Sequence, residues 1–421
     1  MAVRNVFYAQ SGGVTAVINA SACGVIQSAR AYPDRLGRVF AGRNGILGAL
    51  EEDLIDTSLE SDADIAALRR TPAGAFGSCR YKLKGLEENR AEYERLIDVF
   101  RAHDIGYFLY NGGGDSADTC LKVAQMGERL GYPLQAIHIP KTVDNDLPHT
   151  DTCPGFGSAA KYIATSVREA GFDVASMART STRIFVLEVM GRHAGWLAAA
   201  AGLAHEQDED APHLLLLPEI PLAEDALMER VEATVQRHGY CVVVVSEGLR
   251  TADGQFVAES GTRDAFGHAQ LGGVAPRIAE RIRERLGHKY HWAVADYLQR
   301  AARHLASATD VAQAYAVGQA AVDLALKGVS GRMVSLVRKT DSPYVWTTGD
   351  VALEEVAGRE CPLPREYISE DGFGITPACR RHLAPLLEGE DYPEYVRGLP
   401  RYVRLAGHRV PPRLSKAFKI T

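Results

Sequence analysis

Pro140-Lys141-Thr142-Val143-Asp144-Asn145-Asp146 follows directly on the apolar run 134–139, and this junction decides how the chain is read. A short, uninterrupted apolar run ahead of such polar residues predicts a strand buried on both faces, as in parallel sheets. Side chains at its carboxyl end then open into the crevice where open α/β sheets bind their ligands. On locally extended backbone, Asp144 and Asp146 share one face and Asn145 takes the other. One carboxylate is then placed to take a proton and the other to hold a divalent cation. Lys141 adds a compact positive charge suited to phosphate. The competing reading is a solvated turn, since Pro, Asp and Asn are ordinary turn residues.

The neighbouring loops weigh against a plain turn. Residues 6–9 predict a strand that runs into Gln10-Ser11-Gly12-Gly13, and apolar residues at helical spacing follow from Val17 to Ala29. Gly12 and Gly13 carry no side chains, so backbone N–H groups can approach a phosphate at the positive end of that helix. The pattern is neither a P-loop nor a dinucleotide fingerprint. The unit recurs: strand 105–110, then Asn111-Gly112-Gly113-Gly114-Asp115-Ser116, then a helix. Asp115 and Ser116 are either N-caps or groups that face a ligand's phosphate and metal. Three successive glycines are costly in backbone entropy for a bare turn, which favours the ligand. Between these units, Arg80 and Lys82 stand at alternate positions of a small-residue loop and can project together toward an anion.

Further along, 183–190 predicts a strand ending at Gly191-Arg192-His193, where Gly191 allows close approach to the Arg192 guanidinium. His193 reads as a hydrogen-bonded structural histidine, because no nucleophile stands near it in sequence. Strands are expected at 213–217, 240–246, 291–295 and 332–337, and helices at 159–170, 222–237, 274–286 and 309–327. Glu247 closes the 240–246 strand as a hydroxyl acceptor or a cap. Residues 251–273 read as a surface excursion. From about Val351 the βα rhythm is lost, which predicts a helical or irregular extension.

The chain of 421 residues is 46% hydrophobic and 24% charged, with a formal net charge of −6, as expected of a globular enzyme of about two or three domains. That balance argues against a nucleic-acid partner, so an anionic substrate needs a local cluster of Arg and Lys. The 7 cysteines form no CxxC pair and read as reduced thiols. No leader precedes the first strand, and no apolar run approaches the ~18 residues of a membrane span. A cytoplasmic protein without a membrane partner is the expectation.

Taken together, these residues resemble the phosphofructokinase family. The match rests on Ser11-Gly12-Gly13, Gly112-Gly113 with Asp115-Ser116, Thr142-Val143-Asp144-Asn145-Asp146, Met190-Gly191-Arg192, Glu247 and Tyr297-Leu298-Gln299-Arg300, in the family's order and at predicted strand ends. The resemblance implies an α/β fold of two doubly wound parallel-sheet, Rossmann-like domains with the active site in the cleft between them. Residues 1–155 with 299–350 would bind the phosphoryl donor, and 156–298 with 351–421 the sugar phosphate, including a C-terminal extension. It also implies reversible phosphoryl transfer to the 1-hydroxyl of fructose 6-phosphate.

Family members that use ATP usually carry glycine where this chain has Asp115 and Lys141; those that use pyrophosphate resemble this chain at both. An aspartate at 115 fills and charges the room a nucleotide's α-phosphate needs, and Lys141 neutralises the shorter diphosphate. By the same resemblance, Asp144 is the general base, with Lys141 and Arg80 also catalytic. Gly12, Gly13, Lys82, Asp115 and Ser116 hold pyrophosphate. Thr142, Val143, Asp144, Arg183, Met190, Gly191, Arg192, Glu247, Tyr297, Leu298, Gln299 and Arg300 hold the sugar phosphate. Arg183 is implied to reach a neighbouring subunit's site, hence a homodimer or homotetramer. Mg²⁺ is the implied metal, with Asp115 and Asp146 as ligands, because Gly114 replaces an aspartate that many members have. Tyr297 stands where ATP users have a histidine. Two alternatives remain open: an ATP-dependent 6-phosphofructokinase, and a non-catalytic sugar-phosphate sensor on the same fold.

Overall fold

The computed structural model describes residues 3–85, 87–263 and 269–419. Strands β1 (Arg4–Ser11), β2 (Leu36–Gly42), β3 (Leu54–Asp56), β4 (Ser78–Cys79), β5 (Ile105–Gly112) and β6 (Gln135–Pro140) build one sheet. The chain then crosses to a second sheet through β7 (Ile184–Val189), β8 (Leu214–Leu216) and β9 (Cys241–Ser246). After the hairpin β10 (Glu259–Arg263) and β11 (Ala269–Leu271), it completes the second sheet with β12 (Tyr290–Val294). It returns to the first with β13 (Arg332–Asp341) and β14 (Tyr344–Ala352). The larger sheet runs β14-β13-β6-β5-β1-β2-β3, with β4 beside β1, and the smaller runs β12-β7-β9-β8. The smaller sheet is parallel throughout, and in the larger the edge strands β3 and β14 run antiparallel to their neighbours.

Alternation along β1 explains the sandwiching. Val6 and Tyr8 join the apolar cluster under the helices Ile18–Arg30 and Ala308–Leu326, whereas Phe7 and Ala9 join the one under Arg90–Ala102 and Gly114–Arg129. Phe7 stacks on Phe108 with centroids 5.5 Å apart. The helices Ile18–Arg30 and Ala308–Leu326 touch backbone to backbone: a Cβ at Gly24 would collide with the Tyr315 carbonyl, and one at Gly318 with that of Ser21. β9, an all-buried run of β-branched residues, sits centrally between β7 and β8. In both sheets the carboxyl ends of the parallel strands open toward one cleft, which is where the loops singled out by sequence meet.

Three expectations are corrected. The strand at 332–337 continues to Asp341 and folds back as β14, whose half-exposed edge pattern reads from sequence like loop. The 251–273 excursion contains the β10–β11 hairpin, and its residues 264–268 lie outside the described residues. The stretch 351–421, assigned as a whole to the sugar-phosphate domain, is shared between both layers. Val351, Leu353 and Val356 sit in the larger core; Leu363, Ile368, Cys379 and Leu386 sit in the smaller one; Val403, Leu405, Val410 and Leu414 return to the larger. The physical reason is pairing at an open sheet edge. The Asp56 N–H donates to the His408 carbonyl (2.8 Å) and the Val410 N–H to that of Leu54 (2.8 Å), so the tail extends along β3.

Buried Glu52 fastens this tail. Its carboxylate accepts from the backbone N–H of Arg413 (2.6 Å) and Leu414 (3.2 Å) and lies 2.7 Å from His103 Nε2. Burial alone would raise its pKa, but those hydrogen bonds together outweigh it and hold the carboxyl below its ordinary range. A depressed carboxyl contributes stability that is present above the unfolded value, near ~4.3, and lost as pH falls through the folded value. Glu52→Gln should therefore lower the unfolding free energy by about 1–2 kcal/mol at pH 7 and flatten its decline in acid. Urea midpoints measured from pH 7 to 3 check this, and parallel curves for the two proteins would contradict it.

Candidate active site

The cleft between the sheets has a volume of about 1040 Å³ and is lined by the turns that leave β1, β5, β6, β7, β9 and β12. On its larger-sheet side, Gly12 has φ +75°, a conformation that favours glycine. Its N–H donates to the Cys79 carbonyl (2.9 Å), and its own carbonyl accepts from Ser78 Oγ (2.7 Å). The Lys141 ammonium is buried and donates to the carbonyls of Ser11 (2.8 Å) and Gly13 (2.6 Å). Burial, then the neighbouring Arg300 and Arg80, push its pKa down to about 7. Those two guanidiniums converge on the same turn: a Cβ on Gly13 would lie 2.6 Å from Arg300 Nη1 and 3.6 Å from Arg80 Nη2. Across from them, Lys82 Nζ lies 2.9 Å from Asp115 Oδ1, and Ser116 Oγ donates to Ser11 Oγ (2.8 Å). Ser116 thus knits the two glycine turns together.

The Asp144 and Asp146 carboxyls stand at the centre. Burial, then the charges of Asp146 and Glu247, push the Asp144 carboxyl up to about 8, against the pull of Arg192 and Lys141. Its Oδ1 is buried and has no hydrogen-bond partner among the described residues. Burial and the charge of Glu360 raise Asp146, which its own N–H and the Thr142 hydroxyl partly offset. Asn145, expected on the face opposite the two acids, is buried and accepts from the Cys153 N–H (2.8 Å) and Thr152 Oγ1 (3.2 Å). The route differs: its φ of +56° makes a left-handed turn in place of an extended strand, a conformation Asn tolerates better than most.

On the smaller-sheet side, Gly191 has φ +127° and a Cβ there would lie 2.5 Å from the Ala194 carbonyl. Its carbonyl accepts from Ser246 Oγ (2.6 Å), which locks the Met190-Gly191-Arg192 turn to the end of β9. Glu247 is pushed up to about 7 by burial, with Arg192 opposing and Glu188 and Asp296 adding. Thr142, Val143, Met190, Arg192 and Tyr297 also line the cleft.

Some sequence-predicted residues stand elsewhere or are otherwise engaged. Arg300 stacks on Tyr297, 3.8 Å from the ring centroid, and reaches the Gly13 turn on the larger-sheet side. Gln299 spends its amide on the Met190 N–H (3.2 Å) and the Asp296 carbonyl (2.9 Å), positioning two turns. Leu298 is exposed and off the cleft. Arg183 lies at the opposite end of β7 from Met190, outside the cleft of its own chain, with Nε donating to the Ala178 carbonyl (3.3 Å). His193 lines the cleft with Nδ1 3.3 Å from Arg250 Nη2 and Nε2 3.9 Å from Glu360.

Residues the sequence reading passed over also belong here. Buried Glu188 accepts from the N–H of Gly273 (3.2 Å) and Ala275 (2.9 Å) at the start of the helix Val274–Leu286. Its signal was an acid inside an otherwise apolar strand. Gly358, Arg359 and Glu360 line the cleft from the tail, with no nearby motif to announce them.

Among the described residues no group of three or more His, Cys, Asp or Glu side chains could by itself hold a metal. The Asp144–Asp146 pair, with an unpartnered buried oxygen, does fit a cation that arrives already carrying phosphate oxygens and water. Asp115 fits less directly, being engaged by Lys82.

A family model described as Phosphofructokinase matches residues 5–325. The chain is 70% identical over 420 residues to the pyrophosphate–fructose 6-phosphate 1-phosphotransferase of Methylococcus capsulatus, covering 100% of both. It is 66% identical over 420 residues to the protein of that name from Halomonas elongata, again covering 100% of both. Among solved structures, the pyrophosphate-dependent phosphofructokinase of Nitrosospira multiformis has a TM-score of 0.91 at 61% identity, covering 98% of this chain and 99% of that one. With the family's motifs assembled around one cleft and the match spanning most of its length, the chain belongs to the phosphofructokinase family.

Proposed function

We propose that the protein reversibly transfers a phosphoryl group from inorganic pyrophosphate to the 1-hydroxyl of fructose 6-phosphate, yielding fructose 1,6-bisphosphate and phosphate. The observation that carries this reading is the filled donor turn. The Lys141 ammonium is seated against the Ser11 and Gly13 carbonyls, and Asp115 is held by Lys82, so both side chains take up room beside the glycine turns. A short diphosphate meets Lys141, Arg80 and Arg300 there, whereas an adenylate would have to displace an acid. The names of the relatives at 70% and 66% identity support the same donor.

In this reading Asp144 takes the proton of the sugar's 1-hydroxyl as that oxygen attacks phosphorus, a role worth about 10²–10⁴-fold. Its raised pKa suits a proton acceptor that works near neutrality. The Gly12 and Gly13 backbone, Lys141, Arg80 and Arg300 stabilise charge on the transferred group, which is most of what phosphoryl transfer requires. Arg192, Glu247, Met190 and Tyr297 hold the sugar phosphate. Family enzymes generally use a divalent metal; here it would be Mg²⁺, held by Asp146 with diphosphate oxygens and water, and it would draw charge from the phosphoryl group. Arg183, exposed and remote from its own cleft, would serve the site of a second subunit in a homodimer or homotetramer. No helix among the described residues is long and apolar enough to cross a membrane; a cytoplasmic enzyme is the proposal.

Side-by-side assays with pyrophosphate and ATP should show turnover with the former alone, and Lys141→Gly should cut kcat/KM for pyrophosphate by about 10²-fold or more. Unchanged pyrophosphate kinetics in that variant would remove Lys141 from the donor site. Asp144→Asn should lower kcat by about 10²–10⁴-fold while calorimetry shows fructose 6-phosphate still binding; a near-normal rate would sink the assigned base. Because Glu247 is a like charge that helps to hold Asp144 up, Glu247→Gln should shift the acid limb of the kcat–pH profile to lower pH. A limb that stays in place or moves upward would contradict that coupling.

A further inference from the structure

The tail enters the cleft along a defined path. Leu353 and Val356 are buried in the same apolar cluster as Ala117 and Cys120 of the helix Gly114–Arg129, whose first turn carries Asp115. Five residues after Val356, the Cys361 N–H donates to the Asp146 carbonyl (2.7 Å), and the Cys361 carbonyl accepts from the Trp196 indole N–H (3.1 Å). The Leu363 N–H then donates to Glu219 Oε1 (2.8 Å) on the smaller-sheet side. Residues 357–360 are therefore pinned at both ends across the cleft rim, and they lie beyond the 5–325 segment the family model covers.

This crossing places the exposed Arg359 on the cleft wall. Other cations there are already engaged: Lys82 with Asp115, Lys122 with Asp118 (2.6 Å), Lys141 with two carbonyls and Arg300 with the Tyr297 ring. The Arg359 side chain makes no hydrogen bond or ion pair among the described residues. A guanidinium with no partner to give up loses only side-chain freedom and hydration on binding, and its planar fork matches phosphate oxygens two at a time. The packing of Leu353 and Val356 against the helix that carries Asp115, and the bond from Cys361 to the Asp146 carbonyl, start the segment beside the proposed donor turn.

We propose that Arg359 is a donor-binding residue, supplied from outside the family module, that grips the outer phosphate of bound pyrophosphate and, in the reverse direction, inorganic phosphate. This rests on the function proposed above. Steady-state kinetics of Arg359→Ala should show KM for pyrophosphate, and for phosphate in reverse, raised about tenfold. KM for fructose 6-phosphate should stay within about twofold, Arg359→Lys should recover part of the loss, and the melting temperature should be unchanged because the side chain is exposed. An unchanged KM for pyrophosphate, or a rise confined to fructose 6-phosphate, overturns the proposal. Calorimetric titration of pyrophosphate onto wild type and Arg359→Ala reads the contact without turnover. Equal affinities overturn this inference, whereas a wild type that binds pyrophosphate but fails to turn it over overturns the functional reading alone.

Discussion

The structure depends on one buried charge, the Lys141 ammonium held against the carbonyls of Ser11 and Gly13. An ammonium taken out of water is costly unless oxygen atoms replace its hydration, and two main-chain carbonyls do part of that here. The contact ties the end of β6 to the turn after β1, two strands separated in the sheet by β5. It fixes the floor of the Gly12-Gly13 turn at the same time as it charges it. Arg80 and Arg300 stand close enough to depress its pKa, so three cationic side chains gather at one turn. Such a cluster suits an anion.

The acids across the cleft carry the opposite imbalance. Asp144, Asp146 and Glu247 are all raised, and for Asp144 the causes are burial and the company of the other two. Both imbalances come from folding like charges together at strand ends: the cationic side suits an anion, and the acidic side a proton or a cation. Neither would persist without rigid support. Asn145, turned inward onto Thr152 and Cys153, and Ser246, bonded to the Gly191 carbonyl, are the polar anchors that hold the acids and Arg192 in place.

Much of this was legible in the sequence, for local reasons. The helix 274–286 was readable because its apolar residues fall on one stripe, and 240–246 because four valines in succession fit only a buried strand. The glycine turns declared themselves by composition. What stayed hidden depends on distant contacts. Arg300 shares a motif with Tyr297, yet its side chain stacks on that ring and reaches Gly13, a direction no spacing rule contains. Glu188 looked like one acid in an apolar strand until the start of a helix some eighty residues later came to meet it. The tail had no rhythm to read because its apolar residues pack a few at a time into two different cores.

That winding path has a consequence for biosynthesis. The larger sheet closes only when β13 arrives, long after β1 to β6 have left the ribosome, and the helix Ala308–Leu326 that covers one of its faces comes with it. Until then the nascent chain presents an uncovered apolar surface around Val25, Ile26 and Ile137, as well as an unpaired β6 edge. The larger layer is not a contiguous stretch of polypeptide, whereas the four strands of the smaller one follow each other between Ile184 and Val294. The larger layer therefore closes late, with the C-terminal segment threaded over both as the final cross-link.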